Sequence, residues 1–294
     1  MGITVFPILR TMIKAHFRQS ATAIATLWAL SFAPGLHPPA IAAEPPESAP
    51  ETSETETFEN VYDQAQAELP DNLYVLYRII DRLARANNLD EHPWRVIIED
   101  NNNINAYATE ANLIIINFGL LDQTAGDASA LACVVAHEMA HHTHQHAAIW
   151  TSRRAQWREQ MEMHDSEEEQ AEFAEKSAQL RREQELEADS WGYRYAATAG
   201  FETEGCFRGF DVLSRLPQAL VDSDTHPAVP KRIETLEALM VDHPPTSLAQ
   251  RGELQLRTSE PLTYDMLEDD RWLRINSKRG GSFVEDFERL FPDE

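Results

Sequence analysis

Beyond residue 43 no stretch of the sequence is apolar enough to span a bilayer. The mature chain is therefore expected to be soluble. Basic residues are scarce: 25 Lys and Arg face 49 Asp and Glu, for a formal net charge of −24. The first 43 residues hold Arg10, Lys14 and Arg18 and no acid, so the remainder carries 22 basic against 49 acidic residues, or −27. Such a surface repels nucleic acid and anionic lipid, and nucleic-acid binding is discounted. Cysteine is nearly missing. Cys133 and Cys206 could pair in an oxidising compartment, or could pack as two small apolar thiols. Cys133 lies one helical turn before His137, but the sequence does not place Cys206 beside it, and both readings stay open. No cysteine lies near residue 43, which argues against a lipid anchor there. No internal repeat is present.

The acid-free start reads as an export signal. A basic lead-in is followed by the apolar "ATAIATLWALSFAPGL" (21–36) and then by "PPAIAA", with small residues where a signal peptidase cuts, after Ala42 or Ala43. An uncleaved anchor is the alternative, but the apolar run is short for a span and holds Pro34 and Gly35. Residues 1–43 are expected to be a signal peptide and the mature protein to be periplasmic. Residues 44–60, "EPPESAPETSETETFEN", carry six glutamates and no base and read as an acidic disordered linker.

From Asp71, Leu73, Leu76, Tyr77, Ile80, Leu83 and Ala84 recur at helical spacing. "WRVIIED" from Trp94, "INAYA" (104–108) and "NLIIINF" (112–118) read as strands, the last two around a short turn. A long helix is expected from about Asp127 through His146. Residues 151–184 are polar and helix-prone, a solvated excursion rather than a partner-binding coil. A further helix should carry "ELEADSWGYRYAATAG", and two amphipathic runs follow. From Pro244 the pattern weakens, although Trp272, Leu273, Phe283, Phe287 and Leu290 suggest a tail that packs on something.

Five of the eleven histidines fall within ten positions of "AHEMAHHTHQHA" (136–147). His137 and His141 are four apart, so a helix presents both imidazoles on one face, where they can share a metal ion. Glu138 adjoins the first ligand and can reach a water on that metal. This is the HExxH arrangement, in which zinc lowers the pKa of its water to about 7 and the glutamate takes the proton. An apolar helix, "ALACVVAHEMAHH", buries the motif. His142, His144 and His146 read as supporting or surface residues in preference to an accessory metal site.

A third protein ligand is needed, and no HxxGxxH follows. "ELEAD" offers Glu185 and Asp189, again four apart. Glu185 would bind the metal and Asp189 would hold the outer nitrogen of a ligand histidine. On the residues alone a solvated glutamate in an acidic helix is the simpler reading, because Glu183 and Glu187 lie close by.

"HEMAH", then "ELEAD" after a long gap, with "NAYA" and "GLL" upstream, resembles the HtpX-like zinc endopeptidases. That family also holds the CAAX prenyl proteases and the soluble periplasmic BepA-like enzymes, and the likeness is greatest to the latter. It covers roughly residues 60–240. The resemblance implies an α+β, mainly helical, gluzincin-type zincin domain with a small sheet beside the active-site helix, here spanning 61–245. It implies one Zn2+ per chain on His137, His141 and Glu185, with Glu138 as the catalytic base. "NAYA" matches the family's substrate-binding edge strand, which makes Asn105, Ala106 and Tyr107 candidate substrate contacts. The usual turn is replaced by "TEAN", which leaves the hairpin geometry open. "DTHPAVPKRI" matches an HP segment, whose His226 could stabilise the oxyanion, cap the metal at rest, or be a surface histidine. The chain lacks the spans of the membrane members and room for a helical-repeat domain, and residues 246–294 form an extension of unknown role. The expectation is a secreted metalloendopeptidase that hydrolyses unfolded or misassembled envelope proteins, with peripheral association to outer-membrane assembly machinery. A non-catalytic zinc-braced holdase is the alternative.

Overall fold

The computed structural model describes residues 60–109, 112–161, 166–266 and 272–276. The expected signal peptide, the linker through residue 59, and Phe283, Phe287 and Leu290 lie outside the described residues. Asn60 is not linker but the cap of the first helix, accepting from the backbone N–H groups of Tyr62 and Asp63. The order is α1 (Val61–Glu68), α2 (Asp71–Ala86), β1 (Trp94–Glu99), β2 (Ala106–Ala108), β3 (Leu113–Asn117), α3 (Phe118–Gln123), α4 (Ala128–Thr143), α5 (His146–Met161), α6 (Glu167–Thr198) and α7 (Glu204–Ser214). A 3-10 turn (Pro217–Leu220) then leads to α8 (Val229–Asp242), α9 (Pro245–Thr258), β4 (Tyr264–Met266) and β5 (Trp272–Ile275). The fold is α+β and mainly helical, with one small sheet. Among the described residues no helix is long and apolar enough to cross a membrane.

α2 is the central amphipathic helix. Leu73, Leu76, Tyr77, Ile80, Leu83 and Ala84, the six residues whose spacing marks it in the sequence, are all fully buried. They pack with Val96, Ile114 and Ile116 of the sheet and Ala132, Val135 and Met139 of α4. The sheet order is β2-β3-β1-β5-β4, with β1 and β3 parallel and the other pairs antiparallel. β2 and β3 pair antiparallel, with Tyr107 opposite Ile115, and Asn112 ahead of β3 lies in the left-handed region at φ 55°.

The segment after Pro244 is bound into this core. β5 pairs along β1, setting Leu273 opposite Val96. Buried Arg85 donates to the carbonyls of Leu256 and Ser259, its partner Asp81 accepts from Leu262 N, and Tyr77 donates to Leu262 O. Three polar groups of α2 therefore clamp the C-terminal stretch. They are satisfied, which is the condition for burying them without a large penalty.

Two helix readings are revised. The helix expected through His146 stops at Thr143. His144 caps it, Gln145 adopts φ 55°, and α5 starts afresh at His146. Downstream, "ELEAD" does not open its own helix. It lies within the 32-residue α6, which begins at a capping box between Ser166 and Glu169. Cys133 of α4 is bonded to Cys206 of α7, so the disulfide reading holds and the free-thiol reading does not. The bridge spans a sequence separation of 73, worth about 4 kcal/mol on the chain-entropy account.

Candidate metal centre and active site

α4 is an alanine-rich apolar helix. Its first turn is capped by Asp127, which accepts from Ala130 N and is itself held by Arg208. Its last two turns carry the HExxH histidines. α6 crosses it with Glu185, Asp189 and Gly192 in one stripe at i, i+4 and i+7. Gly192 is where the helices touch: a Cβ there would lie 2.9 Å from both N and Cα of His137. Any larger residue would push the carboxylates away from the imidazoles.

Nε2 of His137 and Nε2 of His141 are 3.0 Å apart. Glu185 sets Oε2 at 3.5 Å from the first and Oε1 at 3.4 Å from the second. Tetrahedral zinc with bonds of roughly 2.0–2.1 Å separates its donors by about 3.3 Å, so the three groups match one such ion. Oε2 of Glu185 is buried with no hydrogen-bond partner among the described residues. An orphaned carboxylate oxygen facing two imidazole nitrogens suits a cation. Two nitrogens and one oxygen, with a fourth position open to the cleft, are the donor set of a catalytic zinc site.

Charge balance is supplied from α8. Arg232, buried, makes a two-pronged pair with Asp189 at 2.7 and 2.6 Å and reaches within 3.7 Å of Glu185. Asp189 Oδ1 lies 3.0 Å from His137 Nδ1. Burial raises the Asp189 pKa, but Arg232 and then His137 outweigh it and keep the carboxyl ionised. Burial likewise pushes Glu185 up, and His137 and His141 hold it well below the usual range. Burial alone would lower the His137 pKa, yet Asp189 and Glu185 lift it to about 10. A metal ion bound there must displace that proton. Its affinity should tighten about tenfold per pH unit from neutrality toward pH 10, measurable by chelator competition.

Arg232 escaped the sequence reading. Its only signal was a position six residues after His226 in an otherwise ordinary amphipathic helix. Arg232→Met should leave Asp189 buried beside a histidine without its cation, and cost about 3–5 kcal/mol in denaturant unfolding.

Glu138 is buried and lines the floor of an open cleft of 880 Å³, which joins a second compartment of 480 Å³ at the metal site. His92, His142, Trp150 and Arg181 wall the first. Leu120, Val134, Phe210, Leu213 and Val229 make the second largely apolar. His226 stands at the mouth, its side chain 55 % exposed and its Nε2 3.6 Å from Glu185 Oε2. It therefore lies beside the three converging donors.

Of the substrate-strand candidates, Asn105 gives its carbonyl to Asn117 N, while Thr109 N donates to Leu113 O. The alternation turns Tyr107 toward β3 as well and leaves the backbone groups of Ala106 and Ala108 on the outer edge. Ala106 is thus an edge-facing position. Asn105 and Tyr107 can reach the cleft through side chains, not backbone. Ala108 was not anticipated, because the free edge depends on the hairpin register.

His142 packs edge-on against Trp94, and His144 lies against Trp191 and 3.3 Å from Glu187. His146 is buried, and burial with the neighbouring His141 pushes it down to about 4, so it is neutral at pH 7.

The match to peptidase family M48 runs over residues 72–240, more than half of the chain and every residue of the site above. The chain belongs to peptidase family M48. No curated protein matches it. As an M48 member it is a metallopeptidase whose substrates are peptides. The matched region ends before α9, β4 and β5, so the M48 peptidase completes its sheet with chain that lies outside the family match.

Proposed function

We propose that this M48 peptidase is a secreted, zinc-dependent endopeptidase of the cell envelope, akin to the soluble periplasmic members, acting on unfolded or misassembled proteins. The observation that carries it is the outer edge of β2, which pairs with no other strand among the described residues, beside Glu138 and the His137–His141–Glu185 triad. A folded protein has its backbone groups already paired. Only an extended, unpaired segment can add itself to such an edge. The apolar compartment next to the site suits the large apolar side chains that unfolding exposes.

Bound zinc would supply a Lewis acid that polarises the scissile carbonyl and acidifies water. The chain's own groups do the rest. Ala106 and Ala108 align the substrate backbone. Glu138 takes the proton of the attacking water and returns it to the leaving amine. Thr225 Oγ1 lies 2.8 Å from His226 Nδ1. When that hydroxyl donates, Nε2 of His226 carries the proton and faces the cleft as an oxyanion donor. His226→Ala should then lower turnover by about 100-fold with zinc retained. A rise in activity would instead mark His226 as a cap on the resting metal.

The basic and apolar start of the chain and the Cys133–Cys206 bridge both favour an oxidising compartment. Purified protein should contain one zinc per chain and cleave a permanently unfolded protein. A chelator should stop cleavage, and added zinc should restore it. Protein from the envelope fraction should have an intact mass that begins at Ala43 or Glu44. A full-length mass in the membrane pellet would replace export by anchoring. Association with outer-membrane assembly machinery belongs to the same reading and is tested by co-purification. The holdase alternative is weaker, because a zinc brace has no need of a buried Glu138 facing the cleft.

A further inference from the structure

The two ligand histidines are backed differently. Nδ1 of His137 faces the Asp189 carboxylate directly at 3.0 Å. Nδ1 of His141 faces another imidazole, with Nδ1 of His146 at 2.9 Å. The far nitrogen of His146, Nε2, lies 3.3 Å from Glu187 Oε2. The left-handed Gln145 makes this possible. In a continued helix His146 would sit about 140° around the axis from His141. The break at residues 144–145 folds it back beneath its neighbour.

The protons in this chain can be placed one by one. A histidine that ligates through Nε2 keeps that lone pair free, so neutral His141 carries its proton on Nδ1. That N–H points at His146 Nδ1, which must accept it. Neutral His146 then carries its own proton on Nε2 and donates it to the Glu187 carboxylate. Each nitrogen has one role. The reverse order would move the proton of His141 onto Nε2 and remove a metal ligand.

We propose that His146 and Glu187 form a two-step relay that fixes the tautomer and orientation of His141, as positioning residues that act on the metal only through it. A carboxylate thus lies 3.0 Å from the outer nitrogen of His137, and another is reached from His141 through an imidazole. His144, His146 and Glu187 also have the spacing of a metal site. With the first site occupied, a second ion could bind there only by displacing the His146 Nε2 proton and breaking the relay.

The inference rests on the zinc reading of the first site, and the test separates the two. Zinc affinity is measured by competition with a chromophoric chelator in wild type, Glu187→Ala, His146→Leu and the double variant. Glu187 is half exposed on a helix, so alanine there is compatible with the fold. Glu187→Ala should bind one zinc about 10-fold more weakly and His146→Leu about 100-fold, the range for partners behind a ligand. The double variant should be no weaker than His146→Leu alone, since Glu187 acts through His146. His146→Asn, whose carbonyl oxygen can still accept from His141, should recover part of the loss and serves if the leucine variant does not fold. Long-range 1H–15N spectra of the zinc-loaded protein should place the His146 proton on Nε2. Unchanged affinity in Glu187→Ala, additive losses in the double variant, a proton on Nδ1, or a second zinc that Glu187→Ala removes would each overturn the relay. A wild type that binds zinc but cleaves nothing would remove the peptidase reading and leave the relay standing.

Discussion

Glu138→Gln should leave zinc content and thermal stability almost unchanged and lower cleavage of an unfolded protein by at least 100-fold. Loss of a positioned general base typically removes a factor of about 10²–10⁴. The side chain lies against the cleft beside the triad and is not one of the three converging donors. Glutamine keeps the volume and the polar contacts at this buried position but cannot take a proton near neutral pH. Zinc analysis and melting temperature control for binding and folding. If the variant supports cells as well as wild type while a ligand variant fails, the holdase reading stands and the peptidase reading falls.

Glu185→Ala should abolish stoichiometric zinc binding, a larger effect than the roughly 10- to 100-fold expected of residues behind the ligands. It removes the sole oxygen donor of the triad. It also leaves His137 and His141 facing each other at 3.0 Å, with Arg232 nearby and one fewer anion to balance it. Activity should vanish with the metal, whereas Glu187→Ala should retain zinc and measurable cleavage. Metal analysis after dialysis distinguishes the two. A Glu187→Ala protein that comes out metal-free beside a zinc-loaded Glu185→Ala would move the ligand two residues along α6.

Much of this architecture is legible in the chain because it is periodic. The buried face of α2 is a 3.6-residue repeat of large apolar side chains. The spacings of His137 to His141 and of Glu185 to Asp189 are single helical turns, so they share a face wherever the helices lie. The strand at 113–117 is a run of leucine, three isoleucines and asparagine. The net charge, the excess of acid over base and the HExxH arrangement likewise need no coordinates.

What the sequence left open was decided by groups that meet across the fold. Cys133 and Cys206 are separated by 73 positions, and only the packing of α7 on α4 brings them together. Arg232 becomes part of the site because α8 turns it into the buried gap beside Asp189, where an unpaired carboxylate would be costly. Ala108 gains a free backbone edge from the hairpin register, which composition does not encode. His146 lies behind His141 because one residue, Gln145, takes a left-handed conformation and breaks an otherwise helical pattern. Local periodicity thus determined which residues could act together on one helix. The pairing of residues on different elements was set by tertiary packing, since burial of a charge or a polar atom is stable only where the other element brings its partner.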